Sequence, residues 1–410
     1  MTLLFTNGAI VLPNRLLEHG QVEVVGQRIG SVGAAQTATT VPHNLRVVDL
    51  ADGYLVPGFV DLHVHGGAGH DFMDGTEEAF RAVCQAHARH GTTSLLPTTT
   101  VARHEQHLTF LRVCQSLCSR IRQNAGDGNP HSGECGYGAR ILGCHFYGPY
   151  FAKEARGCHP EAALRPPKTE EYLEYLTYHD CITRATVAPE LAGAENFVRA
   201  CRALGIGCNV GHSHATFAQM EAARRWGVTH VDHLFCAMSD RARLRQEQTY
   251  PMRGGVMEAT LYFDDLTTEV IADGKHLAPE LLKLAYKVKG PDRLALVTDC
   301  NRALDMPDGE YLFGPLDGGE PILRQDDVGV MPDGKALASG VMGMDHAVRT
   351  FLAMTGVPLV EVVRMASLTP ARIAGRDKDL GSIEPGKLAD LVVLNRDLHV
   401  REVYVAGEKV

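Results

Sequence analysis

The chain has 410 residues, of which 45% are hydrophobic and 22% charged, a composition typical of an ordinary globular protein. Its formal charge of −9 comes from interspersed acidic and basic residues. There is no basic stripe for a phosphate backbone to follow, which argues against nucleic acid as a partner. No apolar run approaches the roughly 18 residues of a membrane span, and the N-terminus lacks the basic start of a signal peptide. We therefore expect neither membrane insertion nor export.

The 11 cysteines are scattered along the chain without a C-x-x-C pair. An odd number of cysteines in a chain of this length is typical of reduced thiols and not of a disulfide framework. This cysteine usage predicts a cytoplasmic protein.

Both ends of the chain carry short β-type runs broken by Gly, Pro and Asn. The runs between residues 3 and 56 predict a small antiparallel sheet, and residues 389–394 and 400–405 repeat the same texture. We therefore predict one small β-sandwich domain made from both ends, residues 1–56 and 376–410. Residues 57–375 form the larger domain between them.

Apolar strand-like runs alternate with helical patterns through this larger domain, as expected for parallel βα units. The helical pattern is clearest at 77–90, 195–204 and 217–226. Residues 301–333 are rich in Gly, Asp and Pro and predict a lid or an excursion over the barrel mouth. Because eight strands close a barrel, the sequence predicts an α/β fold of the (β/α)8 TIM-barrel type. The predicted strands are 59–65, 93–98, 141–147, 185–189, 206–212, 229–233, 270–273 and 294–299.

Residues suited to metal binding stand at the ends of these strands. His63 and His65 are two residues apart, so both imidazoles project from one face of the first strand. His212, His233 and Asp299 each close a later strand. Any one of them could merely cap its strand, but a closed barrel brings all five together. Imidazole and carboxylate are preferred ligands of zinc and related divalent metals.

The chain resembles the amidohydrolase superfamily in four stretches: PGFVDLHVHG (57–66), GHSHAT (211–216), LVTD (296–299) and GSIEPGKLADLVVL (381–394). Within that superfamily it is similar to the N-acetylglucosamine-6-phosphate deacetylases. That similarity rests on HGTTSLLPT (90–98), GPYF (148–151) with Gly-x-His-Pro (157–160), APEL (188–191), DHLFCAM (232–238) and IADGKH (271–276). These motifs cover nearly the whole chain in order.

The resemblance implies roles for individual residues. Asp299 matches the aspartate that acts as a general base on the attacking water and then as an acid toward the departing amine. His212 and His233 match metal ligands, and His233 also stands where it could activate water or polarise the carbonyl. The remaining matches contact substrate: His159 near the acetamido sugar, His276 near the phosphate, Cys236 and Ala237 in place of an asparagine–alanine pair, and Ser339 in a segment that closes over the amide.

The chain departs from the family pattern at two positions. Tyr147 stands where the family has a glutamate metal ligand, and a neutral phenol with a reference pKa near 10 is a poor ligand. Cys236 replaces an asparagine and removes an amide donor from the pocket.

The missing glutamate leaves two arrangements for the metal. We favour one divalent ion, most simply Zn²⁺ with Fe, Mn or Ni as alternatives, held by four residues with His233 beside it; the four are His63, His65, His212 and Asp299. In the competing arrangement the ion lies on His212 and His233, and Tyr147 or a water completes its shell.

The resemblance also implies an arginine that reaches the phosphate from a neighbouring subunit. Arg253 lies nearest the matching position, and Arg241, Arg243 and Arg245 are rivals in the same segment. A solvated loop face would explain these four arginines equally well. If the family geometry holds, the protein is at least a homodimer.

The leading functional prediction is metal-dependent hydrolysis of the N-acetyl group of an amino sugar 6-phosphate, N-acetylglucosamine 6-phosphate above all. Tyr147 and Cys236 keep a second reading open, a deaminase or another amide hydrolase with a changed substrate. A third is a catalytically inactive sugar-phosphate sensor, against which Asp299 and the intact histidines argue.

Overall fold

A (β/α)8 barrel forms the middle of the chain. The structure, a computed structural model, describes residues 2–34, 45–126, 138–239 and 251–410. Its first two barrel strands are buried along their whole length, as expected when helices cover the outside of a parallel sheet and side chains fill its inside. The eight barrel strands are Phe59–Val64, Thr92–Pro97, Arg140–Ile141 continued by Cys144–Phe146, Ile182–Thr186, Gly207–Val210, Val228–Val231, Thr267–Ile271 and Leu294–Val297.

Two short parallel bridges close the barrel. Thr98 pairs with His145 between the second and third strands, and Val64 pairs with Cys300 between the first and the last. The third strand, predicted as one run over 141–147, is interrupted in the structure because Gly143 adopts a φ of 110°. The other predicted strands are present, and the observed strands end up to three residues before the predicted ends.

Each barrel strand is followed by a helix that packs on the outside. The helix Phe217–Trp226 shows why the boundaries fall where they do: the Thr216 side chain caps its N-terminus, and Gly227, at φ 114°, ends it. The helices are Glu77–Arg89, His104–Gly126, Thr169–Leu176, Ala194–Ala203, Phe217–Trp226, Val256–Tyr262, Pro279–Lys289, Met344–Thr355, Leu359–Ala366 and Leu368–Ile373. Within the described residues, none of these is both long and apolar enough to cross a bilayer.

Strands from both chain ends share one eight-stranded sheet. The expectation of a purely antiparallel sheet is wrong, because the first strand runs parallel to two of its neighbours, Leu45–Asp49 and Tyr54–Pro57. Sequence patterns record which residues are apolar but not which strands become neighbours. The strands are Thr2–Val11, Leu16–Val25, Arg28–Ala34, Leu45–Asp49, Tyr54–Pro57, Leu391–Leu394, Val400–Val405 and Glu408–Lys409. We keep 1–56 with 376–410 as the proposed limits of this domain, and 57–375 as those of the barrel.

A buried ion pair joins this sheet to the barrel. Arg140 of the third barrel strand donates to Asp390, with the shortest N–O distance 2.6 Å, and both side chains are 4% exposed. Such a pair fixes one relative placement of the two units, because either charge left alone in the interior would be costly.

The segment 301–333 extends over the barrel mouth, as predicted, but it is not an irregular loop. It contains a three-stranded antiparallel sheet of Gly309–Phe313, Glu320–Gln325 and Val328–Val330. Phe313 at the end of the first of these strands lies against the site described below.

Candidate active site

A cavity of about 390 Å³ lies at the carboxyl ends of the barrel strands. Its size falls within the range of small-molecule sites. All but two of the site residues predicted from the sequence line it: His65, Tyr147, His159, His212, His233, Cys236, Ala237, His276, Asp299 and Ser339. His63 lies beneath the cavity floor, fully buried, and Arg253 is exposed on the surface outside the cavity. Arg241, Arg243 and Arg245 lie outside the described residues.

His63, His65 and Asp299 form one of three groups of possible metal ligands among the described residues, and two of its members line the cavity. One ligand atom from each lies within 4.8 Å of the others. Asp299 Oδ1 is 3.2 Å from His65 Nε2 and 3.6 Å from His63 Nε2. His63 Nε2 is buried and has no hydrogen-bond partner among the described residues. Two imidazoles and a carboxylate around an unpartnered nitrogen fit a divalent cation such as Zn²⁺.

His63 is held from behind by a carboxylate that the sequence reasoning missed. Its Nδ1 donates to Glu269 Oε1 at 2.7 Å, and both side chains are buried. The available signal was an acidic residue inside a short buried strand, Thr267–Ile271. The hydrogen bond at Nδ1 leaves Nε2 facing Asp299.

His233 is stacked on His63, with the ring centroids 5.4 Å apart. The Tyr147 ring packs against both, with its centroid 4.4 Å from that of His63 and 6.1 Å from that of His233. His212 Nδ1 donates to Ala155 O at 2.6 Å, and the rings of His212 and His233 are 5.1 Å apart. The Tyr147 hydroxyl hydrogen-bonds His233 Nε2 at 2.6 Å. Within the part of the chain that the structure describes, His212 does not belong to the group of three, so the predicted four-residue metal set stays a prediction.

The electrostatics of the site favour positive charge around His63. Burial opposes the charged imidazolium, but the Asp299 and Glu269 carboxylates outweigh it and raise the pKa of His63 to about 9. Burial also opposes charge on Asp299, yet His63 and His65 hold the pKa of its carboxyl below the usual range. Burial, with the neighbouring His63, lowers the pKa of His233 to about 4. A region that prefers a cation at this point suits a metal ion.

The Tyr147 phenol is neutral in this setting. Burial raises its pKa well above the usual value, and the nearby carboxylates of Asp232, Asp299 and Glu269 raise it further. The phenol therefore offers a hydroxyl to the site and no negative charge.

Several site residues adopt left-handed backbone conformations that non-glycine residues rarely take. The φ angles are 46° at His212, 23° at His233, 49° at Asp299 and 71° at Ser339. Such conformations cluster at functional sites because the surrounding fold imposes them.

Two further histidines of the cavity are held in place by hydrogen bonds. His159 Nδ1 accepts from the Val101 amide at 3.3 Å, and His276 Nδ1 donates to Asp273 Oδ2 at 2.7 Å. Burial disfavours charge on His276, but Asp273 outweighs it and raises the pKa of the imidazole. Further lining residues that the sequence reasoning did not assign are Glu154, Cys158, His214 and Phe313. No motif assigned them a role.

Comparison with known proteins identifies the family of the chain. The sequence profile described as "Amidohydrolase family" matches residues 54–410. The chain therefore belongs to the amidohydrolase family, and its site is that of a metal-dependent hydrolase. Its curated relatives include deacetylases of amino sugar phosphates. It is 33% identical over 355 residues to N-acetylgalactosamine-6-phosphate deacetylase of Escherichia coli O157:H7, which covers 86% of this chain and 87% of the relative.

Other relatives are named N-acetylglucosamine-6-phosphate deacetylases. Human N-acetylglucosamine-6-phosphate deacetylase is 33% identical over 374 residues, 88% of this chain and 84% of its own. The solved structure of N-acetylglucosamine-6-phosphate deacetylase from Pasteurella multocida superposes with a TM-score of 0.87 at 28% identity, over all of both chains. The Mycobacterium smegmatis enzyme gives a TM-score of 0.85 at 30% identity, again over all of both chains. The likeness extends over the whole fold.

Proposed function

We propose that this protein hydrolyses N-acetylglucosamine 6-phosphate to glucosamine 6-phosphate and acetate. The observation that carries the proposal is Asp299 at the floor of the cavity, with its Oδ1 3.2 Å from His65 Nε2. Full-length similarity to enzymes named for this reaction supports the substrate class. A second configuration is open, because a relative of equal identity is named for the galactosamine compound.

One divalent metal ion, Zn²⁺ in the simplest case, is the proposed cofactor. The residues that would hold it are His63, His65 and Asp299, with His212 as the fourth; Fe, Mn or Ni would also suit these donors. When bound, such an ion polarises the amide carbonyl and makes water more acidic. His233 stands next to this group and completes the catalytic side of the cavity.

Asp299 carries the proton transfers. Because His63 and His65 keep its carboxyl ionised, it can accept a proton as a water oxygen attacks the acetyl carbon. It then returns that proton to the nitrogen as the C–N bond breaks, which releases the neutral amine and acetic acid. The acid becomes acetate by giving its proton to the amine or to solvent. One carboxylate thus serves as base and then as acid.

The remaining predicted residues would position the substrate. We assign His159, Cys236, Ala237 and Ser339 to the acetamido end, because they line the cavity around Asp299. His276, whose imidazole is charged more readily beside Asp273, is assigned to the phosphate. Tyr147 offers its hydroxyl at the boundary between metal and substrate.

We assign Arg253 to the phosphate of a substrate bound in a neighbouring subunit, since Arg253 is exposed and lies outside the cavity of its own chain. We therefore propose a homodimer or a higher homo-oligomer. The ten cysteines among the described residues form no disulfide bond, which supports a reducing compartment such as the cytoplasm.

Tyr147 and Cys236 favour a second candidate, an amide hydrolase or deaminase with a changed substrate. The third candidate is an inactive sugar-phosphate sensor, and this function would not explain the presence of Asp299 in the site. The test measures acetate release from the gluco, galacto and manno acetamido sugar 6-phosphates, with unphosphorylated N-acetylglucosamine as the control. We expect activity on the phosphorylated gluco compound and about one equivalent of metal per chain by elemental analysis. Inactivity on all three phosphates would reject the deacetylase assignment, and two tightly bound equivalents would reject the single ion.

A further inference from the structure

Glu269 is a buried acidic residue below the cavity floor, and the fold must compensate the cost of burying its carboxylate. It lies on the seventh barrel strand, is 1% exposed, and does not line the cavity. Both of its carboxylate oxygens accept hydrogen bonds from histidines: Oε1 from His63 Nδ1 at 2.7 Å and Oε2 from His230 Nε2 at 3.1 Å. The carboxylate therefore joins a proposed metal ligand to a second histidine on the neighbouring sixth strand.

His230 is itself fixed in place. It is fully buried in the strand Val228–Val231, and its Nδ1 lies 2.7 Å from the Thr267 hydroxyl. This leaves Nε2 to meet Glu269. The three side chains His230, Glu269 and His63 thus run in a line from the barrel interior up to the floor of the cavity.

This line of three side chains ends at Nε2 of His63. His63 Nε2 is buried without a hydrogen-bond partner among the described residues and faces Asp299. An imidazole has two nitrogens, and a carboxylate bound at one of them decides that the lone pair is on the other. A neutral side chain at position 269 would leave both forms of the ring available.

We propose that Glu269 is a positioning residue for the metal site: it holds His63 with Nδ1 protonated and Nε2 directed at the ion, while His230 holds Glu269. The inference rests on the proposed metal arrangement of His63, His65 and Asp299. Glu269 also supplies a negative charge on the side of His63 that faces away from the cavity. The neutral phenol of Tyr147 supplies none on the cavity side. Neither His63 nor its motif discloses this, because the support comes from a strand about 200 residues later.

The test measures Zn²⁺ affinity of the full chain by competition with a chromophoric chelator. Glu269→Leu should weaken Zn²⁺ binding by about 10- to 100-fold, the usual effect of removing the partner of a ligating histidine. Glu269→Gln keeps an oxygen acceptor without charge and should cost about fivefold, the difference between a charged and a neutral acceptor. It also serves if the leucine variant does not fold.

Thr268→Val is the matched control. Thr268 is buried on the same strand and donates to Val231 O at 2.7 Å, with no link to the site. Its replacement should lower the melting temperature and leave Zn²⁺ affinity unchanged. A merely structural role of Glu269 would produce the same pattern as this control.

A second readout does not require metal. In the metal-free full chain, at a pH above about 9 where the His63 ring is neutral, the ¹⁵N shifts of that ring, assigned by their loss in His63→Gln, should report Nδ1 protonated. In Glu269→Leu they should move toward a mixture of the two forms. Unchanged shifts, or wild-type affinity in Glu269→Leu, would overturn the inference. If His63→Ala itself retains wild-type affinity, the proposed metal arrangement fails instead, so the two failures are distinguishable.

Discussion

Tyr147→Phe tests the arrangement of the site most directly. The change removes one hydroxyl, whose partner is His233 Nε2 at 2.6 Å, and leaves a ring of the same shape packed 4.4 Å from the ring of His63. If the ion lies on His63, His65 and Asp299, the phenol is not a ligand. Metal content should then stay at the wild-type value.

The size of the effect follows from that single bond. A hydrogen bond contributes about 0.5 to 1.5 kcal/mol net. If all of this were expressed in the transition state, the rate would fall by about 2- to 13-fold. Tyr150→Phe is the matched control, because its buried hydroxyl donates to Glu171 at 2.8 Å, outside the cavity. It should leave both metal content and rate unchanged.

The competing arrangement predicts a different result. With the ion on His212 and His233, Tyr147 could complete the shell, because a neighbouring cation can depress the pKa of a bound group. Removing the hydroxyl would then release the metal. Elemental analysis of Tyr147→Phe alongside the deacetylase assay separates the cases, and metal loss in this variant would refute our reasoning. Tyr147→Glu should acquire a second ion, since it restores a carboxylate between the histidines.

Three further predictions concern Asp299 and two residues outside the cavity. Asp299→Asn should lower kcat by at least about 100-fold with an unchanged circular dichroism spectrum; near-normal turnover would remove it from the mechanism. Burial opposes charge on His90, but Asp305 and Asp345 outweigh it and raise its pKa to about 9, so the charged form stabilises the fold. The free energy of unfolding of the wild type should therefore exceed that of His90→Gln by its full amount below about pH 6.5, and this difference should disappear as the pH passes about 9. Urea unfolding across that range measures the difference, and a constant value would contradict the prediction. Arg140→Met should cost about 3 to 5 kcal/mol of unfolding free energy, because it strands a buried carboxylate, and a loss below about 1 kcal/mol would show that the pair behaves as an exposed one.

The barrel could be predicted because its strands are short apolar runs separated by helical patterns. The helix Phe217–Trp226 was predicted to the residue from the helical spacing of its apolar residues, and in the structure Thr216 and Gly227 mark its ends. The break at Gly143 was not, because only the φ of 110° distinguishes this glycine from one inside a regular strand. The parallel pairing of the first strand with its neighbours has no local signal either.

The site was predictable where a residue closes a strand, and less so where its partner lies inside one. His65 and Asp299 were both expected at the barrel mouth, and the structure places them 3.2 Å apart. The contact between His63 and Glu269 joins positions 206 residues apart, and no spacing rule connects them. The Tyr147 hydroxyl could likewise be placed near the metal, but its bond to His233 depends on side-chain geometry that sequence does not encode.

The left-handed backbone conformations at the cavity lower the stability of the fold at residues that the proposed activity requires. His212, His233 and Asp299 each adopt a positive φ, and each such conformation costs about 1 kcal/mol or more in a non-glycine residue. Three of them together use about 3 kcal/mol of a folding free energy that is only about 5 to 15 kcal/mol in most proteins. Glycine or asparagine at these positions would relieve the cost and destroy the site. Variants that relieve this cost should therefore unfold at a higher free energy than the wild type while losing activity.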